Sequence, residues 1–226
     1  GRSIVTNAQQ HLKKQIVLNL DLEDFFGSIT FGRVRSLLQS KPFCVPYSVA
    51  TVIAHLVCLN GKLPQGAPTS PVLSNMICYR LDGELQELAA RSKSTYTRYC
   101  DDLTFSFSSN INRISNDVFE LASSGVVLGP LIERIIHSNG FRINRNKVWV
   151  RTRSQSMQCT GLVVNEKTNV PRRFVRKISS MIYAWEKFGI ENASKNFGKK
   201  NIESPQQADS NDFFVRSVHG RLAFLQ

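Results

Sequence analysis

Residues 97–107 read TRYCDDLTFSF. Leu103, Phe105 and Phe107 alternate with Thr104, Ser106 and Ser108, the period of a half-buried strand. A second short strand, TYTRY, runs up to it, and the two meet at Asp101 and Asp102. Neighbouring carboxylates repel, and a plain hairpin needs neither of them. Taken alone, the pair reads first as a polar turn. The other reading is that a cation draws the acids together.

A second stretch bears on that choice. In QIVLNLDLEDFF (15–26), Ile16, Leu18 and Leu20 alternate with Val17, Asn19 and Asp21, which predicts a strand that delivers Asp21 at its end. If this strand lies beside the hairpin, three carboxylates converge on one sheet edge. Oxygen donors without histidine or thiolate suit Mg²⁺, which takes a few carboxylates together with phosphate oxygens and water. Two such ions can activate a hydroxyl and stabilise a leaving phosphate oxygen. Mn²⁺ is a possible substitute.

Charge narrows the substrate. The chain has 226 residues, 42% of them hydrophobic, so a sizeable core is available and global disorder is excluded. Lys and Arg number 29 against 17 Asp and Glu, a net charge of +12, which makes a polyanion the leading partner. No apolar run approaches a membrane span, and the N-terminus lacks a signal-peptide pattern. The five cysteines form no CxxC pair, which points to reduced thiols and a cytoplasmic location. Cys44, Cys58 and Cys78 read as small core hydrophobes. Both ends look cut: the chain begins Gly1-Arg2-Ser3, and Arg221–Leu225 stops inside an apolar periodic stretch. The expectation is a piece of a longer polypeptide.

The remaining elements follow from periodicity. SVATVIAHLVCL (48–59) predicts a buried helix, and NGKLPQGAPTSP (60–71) is loop punctuation. Ser70 and Pro71 read as an N-cap and first-turn pair. Leu73, Ile77, Leu81, Leu85 and Leu88 predict one long amphipathic helix. GPLIERIIHSNG (129–140) predicts a helix stopped at Asn139-Gly140. KVWVRT and QCTGLVVN read as strands, a basic helix follows Pro171, and the polar stretch 191–212 reads as a loop or insertion. The order implies an α+β fold, an antiparallel sheet with helices packed on one face.

LDLEDFF, LPQGAPTSP, YCDD and GFRINRNK occur in that order. Together they resemble the palm motifs of reverse transcriptases, over most of the chain. NAQQH (7–11) resembles the Asn-Ala-x-x-His signature of bacterial retron reverse transcriptases. CTGLVVN (159–165) resembles their Val-Thr-Gly signature with Cys159 in place of valine. Cys100 stands where retron enzymes usually carry alanine. The resemblance implies a right-hand polymerase palm over 15–165, the end of a fingers region over 1–14 and the start of a helical thumb over 166–226. It implies two Mg²⁺ ions held chiefly by Asp21, Asp101 and the Leu22 carbonyl, with Asp102 in the same metal site but nearer the primer terminus and less central to the ions. Asp24, Phe26, Gln65 and Gly66 fall where such enzymes hold the incoming deoxynucleoside triphosphate, Phe26 as a gate against the ribose 2′-OH. Lys147 falls where a lysine protonates or neutralises departing pyrophosphate. Asn7, His11, Arg172, Arg173, Arg176 and Lys177 are implied contacts to nucleic acid. The implied partners are a structured non-coding RNA, its DNA copy and an effector protein in anti-phage defence, with no membrane.

Plainer readings stand beside these. Phe25 and Phe26 fit as core residues, Lys147 as a solvated charge, and the arginine cluster as a solvated helix face. An RNA-dependent RNA polymerase shares the palm carboxylates, and a binding protein could keep a dead palm. Phe26 speaks against the first and the complete carboxylate set against the second.

Overall fold

The computed structural model describes residues 3–122, 125–201 and 210–225. The chain divides into two compact units, 1–168 and 169–226. The first contains α1 (Ile4–Gln9), β1 (Ile16–Asp21), α2 (Phe25–Ser28), α3 (Phe31–Gln39), α4 (Tyr47–Val57), α5 (Ser70–Ile77), α6 (Tyr79–Arg91), β2 (Ser94–Tyr99), β3 (Asp102–Phe107), β4 (Phe119–Ala122), β5 (Gly125–Leu128), α7 (Pro130–Ser138), β6 (Trp149–Thr152), β7 (Gln158–Cys159) and β8 (Leu162–Val163). The second contains α8 (Arg172–Asn201) and α9 (Ser210–Ala223).

The main sheet has the order β2-β3-β1-β6, antiparallel throughout. Because side chains alternate, Ile16, Leu18 and Leu20 share one face with Leu103, Phe105, Phe107 and Tyr96. That face joins the core with Leu81, Leu85 and Leu88 of α6, Ile132 and Ile136 of α7, and Val34 and Leu38 of α3. The opposite face carries Thr97, Thr104, Ser106, Asp21 and Asp102. It is covered in part by α1 and the β7–β8 hairpin, through hydrogen bonds described below.

Several expectations change in detail. The helix expected over Leu73–Leu88 is two helices, broken at Cys78 with ψ near zero. Ser70 is not an N-cap; it is fully buried, and its hydroxyl donates to the Pro64 carbonyl at 2.6 Å. The 48–59 helix forms, yet only Ala50 and Ala54 are buried, and Val49, Val52 and Leu56 face outward. Apolar residues all round a helix do not reveal which side packs. Of the cysteines, Cys78 is buried, Cys58 half-buried and Cys44 exposed. The polar stretch from 191 is helical to Asn201 and again from Ser210; residues 202–209 lie outside the described residues. Ile190, Ala193 and Phe197 recur at helical spacing there and pack against Phe214 and Val218. Gly189 interrupts α8 at φ 73°, a conformation that favours glycine. Among the described residues, no helix is long and apolar enough to cross a membrane.

Candidate active site

The sheet register places the carboxylates. The Leu22 N–H donates to the Asp101 carbonyl at 3.1 Å, so these two residues form a hydrogen-bonded pair. The next pair, Asp21 and Asp102, is then non-hydrogen-bonded, the position where side chains across a strand pair come closest. Like charges placed there destabilise a sheet. Asp101 sits in the two-residue turn between Tyr99 and Asp102. Cys100 takes φ 54°, and positive φ at the first central residue suits the right-handed twist of a hairpin. For a residue with a Cβ, that conformation costs about 1 kcal/mol or more.

The electrostatics record this crowding. Burial, then the charges of Asp101 and Asp21, push the Asp102 carboxyl from its ordinary 3.8 up to about 6, while Lys147 works against them. Asp21 is 7% exposed and is compensated by Lys147, whose ammonium donates to Oδ2 at 2.9 Å. The Asn144 amide approaches Oδ1 at 3.4 Å. The hydrogen bond and charge of Asp21 raise Lys147 above its usual range. The glycine-led segment sets these two side chains. Ile143 bridges Leu22, the Asn144 N–H donates to the Asp21 carbonyl at 2.8 Å, and a short 3-10 turn over Arg145–Lys147 aims the lysine back.

The donor set consists of carboxylate and carbonyl oxygens, which fits a hard divalent ion. In this arrangement Lys147 compensates Asp21. Among the described residues, no group of three or more His, Cys, Asp or Glu side chains is gathered as a metal site.

The neighbouring expected residues sort as follows. Asp24 takes φ 42° at the start of α2, exposed, with Lys62 at 3.7 Å. A Cβ at Gly27 would stand 2.3 Å from the Asp24 carboxylate oxygens, so glycine leaves room for that side chain. Phe25 is the core residue of the pair, stacked on Phe141 at 5.6 Å, whereas Phe26 is only half-buried and meets Phe25 edge-on. Gln65 and Gly66 are exposed in the loop before α5. Gly66 takes φ 84°, a conformation that favours glycine, and a Cβ there would meet no other atom of the chain.

One expected nucleic-acid contact is architectural. His11 has no exposed surface; its Nδ1 pairs with the Ser106 hydroxyl and its Nε2 with that of Thr97, both at 2.7 Å. A ring enclosed in this way cannot touch nucleic acid. Burial, then the charge of Lys14, holds it neutral, moving its pKa from 6.5 to about 4. The Asn7 amide donates to Cys159 Sγ at 3.4 Å, and the Thr160 hydroxyl donates to the Ile4 carbonyl at 3.2 Å. NAQQH and CTGLVVN thus bind each other across the polar face of the sheet. Arg172, Arg173, Arg176 and Lys177 are exposed in the first turns of α8.

One part of the site escaped sequence reasoning. Arg98, with a side chain 5% exposed, donates through Nε and Nη2 to both Asp82 oxygens at 2.8 Å. It also reaches Asn75 Oδ1 at 3.1 Å and the Cys100 carbonyl at 3.0 Å, while the Tyr96 hydroxyl donates to Asp82 at 2.9 Å. Burial opposes the charge on Arg98, and the bonds to Asp82 outweigh it. The available signal was parity: Arg98 falls on the apolar face with Tyr96, where a charge requires a buried partner.

Residues 1–164 match the family described as reverse transcriptase (RNA-dependent DNA polymerase). The chain belongs to the reverse transcriptase family. It is 37% identical over 201 residues to the Retron Mx65 reverse transcriptase of Myxococcus xanthus, covering 81% of this chain and 44% of that one. It is 34% identical over 183 residues to the Retron Ec86 reverse transcriptase of Escherichia coli, covering 80% and 53%. The chain therefore spans about half the length of the curated relatives it matches. Among solved structures, telomerase from Candida albicans in complex with a fragment of telomeric RNA aligns with a TM-score of 0.46 and 12% identity, over 98% of this chain and 42% of that one. The α+β sheet of the first unit is the palm of this family, and the resemblance to retron reverse transcriptases stands.

Proposed function

We propose that this chain is the palm-centred part of an RNA-directed DNA polymerase of retron type. The observation that carries the reading is the opposed pair Asp21 and Asp102, with Asp101 beside them, at the end of the two central strands of a sheet belonging to this family. The similarity to retron reverse transcriptases supports a structured non-coding RNA as template and a branched, RNA-linked single-stranded DNA as product. A role in anti-phage defence beside an effector protein belongs to the same reading, as does a cytoplasmic location.

Asp21, Asp101 and the Leu22 carbonyl would hold Mg²⁺, which supplies charge stabilisation to the transferring phosphate and lowers the pKa of the attacking hydroxyl. Asp102 would stand beside the primer terminus. Lys147 gives up Asp21 and places its proton near the departing pyrophosphate. Asp24, Gln65 and Gly66 border the incoming nucleotide, and the half-buried ring of Phe26 limits room at its 2′ position. Residues 1–14 close the fingers side, 15–165 form the palm, and 166–226 begin a thumb whose Arg172, Arg173, Arg176 and Lys177 follow phosphates.

The test is primer extension on RNA by the full-length protein, with sequencing of the nucleic acid that co-purifies. RNA-templated DNA synthesis and DNA covalently joined to one RNA species are the expected results. Failure to incorporate deoxynucleotides on any RNA template would overturn the reading.

A further inference from the structure

The turn that carries Asp101 is fastened at two successive carbonyls. The Asp101 carbonyl accepts from the Leu22 N–H at 3.1 Å, which ties the turn to the strand bearing Asp21. The Cys100 carbonyl accepts from Arg98 Nη1 at 3.0 Å. Asp101 lies between these two fastenings. Cys100 is also the residue with positive φ, the conformation that most needs support from outside the turn.

Arg98 is itself immobilised. Its fork grips both oxygens of Asp82 in α6, the bidentate geometry in which guanidinium and carboxylate planes are locked. Its Nη2 also reaches Asn75 in α5, the helix that leaves the Gln65–Gly66 loop. One buried side chain therefore connects two helices to the backbone of the turn.

We propose that Arg98 is a positioning residue for nucleotidyl transfer: anchored by Asp82 and Asn75, it holds the Cys100–Asp101 peptide and so fixes where the Asp101 carboxylate stands relative to Asp21. This rests on the polymerase reading above. Lysine at position 98 keeps the charge facing Asp82 but cannot reproduce the planar fork, so it cannot hold Asp82 with both nitrogens and still reach Cys100. Tyr96 supplies the contrast, because its hydroxyl touches Asp82 and not the turn.

The experiment uses full-length protein bound to template–primer and measures single-nucleotide addition in wild type, Arg98→Lys and Tyr96→Phe. A misplacement of about 1 Å at a reacting group lowers rate by up to about a hundredfold. Arg98→Lys should therefore slow addition at saturating nucleotide by about ten- to a hundredfold, while half-saturation by nucleotide moves less than about threefold. Tyr96→Phe should keep its rate within about twofold, although it also loses a buried hydrogen bond. Should Arg98→Lys not fold, Asn75→Ala at its exposed position must lower the same rate by about threefold. Hydrogen exchange of the Leu22 amide, read without nucleic acid, should accelerate in Arg98→Lys and not in Tyr96→Phe. A wild-type rate in Arg98→Lys, or slower addition in both variants that follows only their melting temperatures, would overturn the proposal, as would unchanged Leu22 exchange. If the wild type extends nothing, the polymerase reading fails, and the exchange measurement still decides whether Arg98 holds the turn.

Discussion

Replacing His11 by glutamine should change how stability depends on pH. The ring is fully buried between two hydroxyls and stays neutral down to about pH 4, against 6.5 in an unfolded chain. Below pH 6.5 the unfolded chain takes up a proton that the folded one refuses, so stability falls with falling pH until about pH 4. The window spans about 2.5 pH units, which at about 1.4 kcal/mol per unit is about 3 kcal/mol. Asp102 acts in the opposite sense. Its folded carboxyl takes a proton near pH 6, whereas the unfolded one waits until 3.8, so acidification through that window adds stability. In wild type the two groups offset each other. Glutamine can donate and accept a hydrogen bond but does not titrate, so His11→Gln leaves Asp102 unopposed. Urea unfolding in chelator at pH 7, 6 and 5 measures the slopes. At pH 7 the variant is less stable than wild type, and that deficit shrinks as pH falls. Parallel slopes for the two proteins would refute the buried, neutral histidine.

Phe26→Ala in the full-length enzyme should raise ribonucleotide incorporation relative to deoxynucleotide, read as the ratio of kcat/KM values; an equal fall for both sugars would place the gate elsewhere. Arg172→Ala combined with Arg176→Ala should weaken RNA binding at low salt and flatten the log–log salt dependence by about one unit for each phosphate no longer neutralised, so parallel salt slopes would assign the cluster to a solvated face.

The carboxylate geometry was legible because a strand has period two. Asp21 closes one alternating run and Asp102 opens another, so pairing the two runs puts both acids on one face at one end of the strands. The helix after Gly129 was legible through its Pro130 start and its Gly140 stop at φ 75°. What escaped depends on partners distant in sequence. The bonds of His11 reach Ser106 and Thr97, so its signature read equally well as a ligand contact. Its burial becomes visible only when α1 lies over a sheet face whose hydroxyls need partners. Arg98 finds Asp82 across a strand–helix packing that no local pattern encodes. The helix after Gly189 hides because Ile190, Ala193 and Phe197 are sparse among polar residues, and their face is defined by Phe214.

The central claim is that Asp21, together with Asp101, holds the metal that nucleotidyl transfer needs. It is tested most directly by adding one deoxynucleotide to a template–primer already saturated with full-length protein, comparing wild type with Asp21→Asn. Losing several kcal/mol of transition-state stabilisation lowers rate by about a thousandfold or more, and that loss is predicted with RNA affinity unchanged. Extension by Asp21→Asn within about tenfold of wild type, a cost of only about 1.4 kcal/mol, would contradict the account.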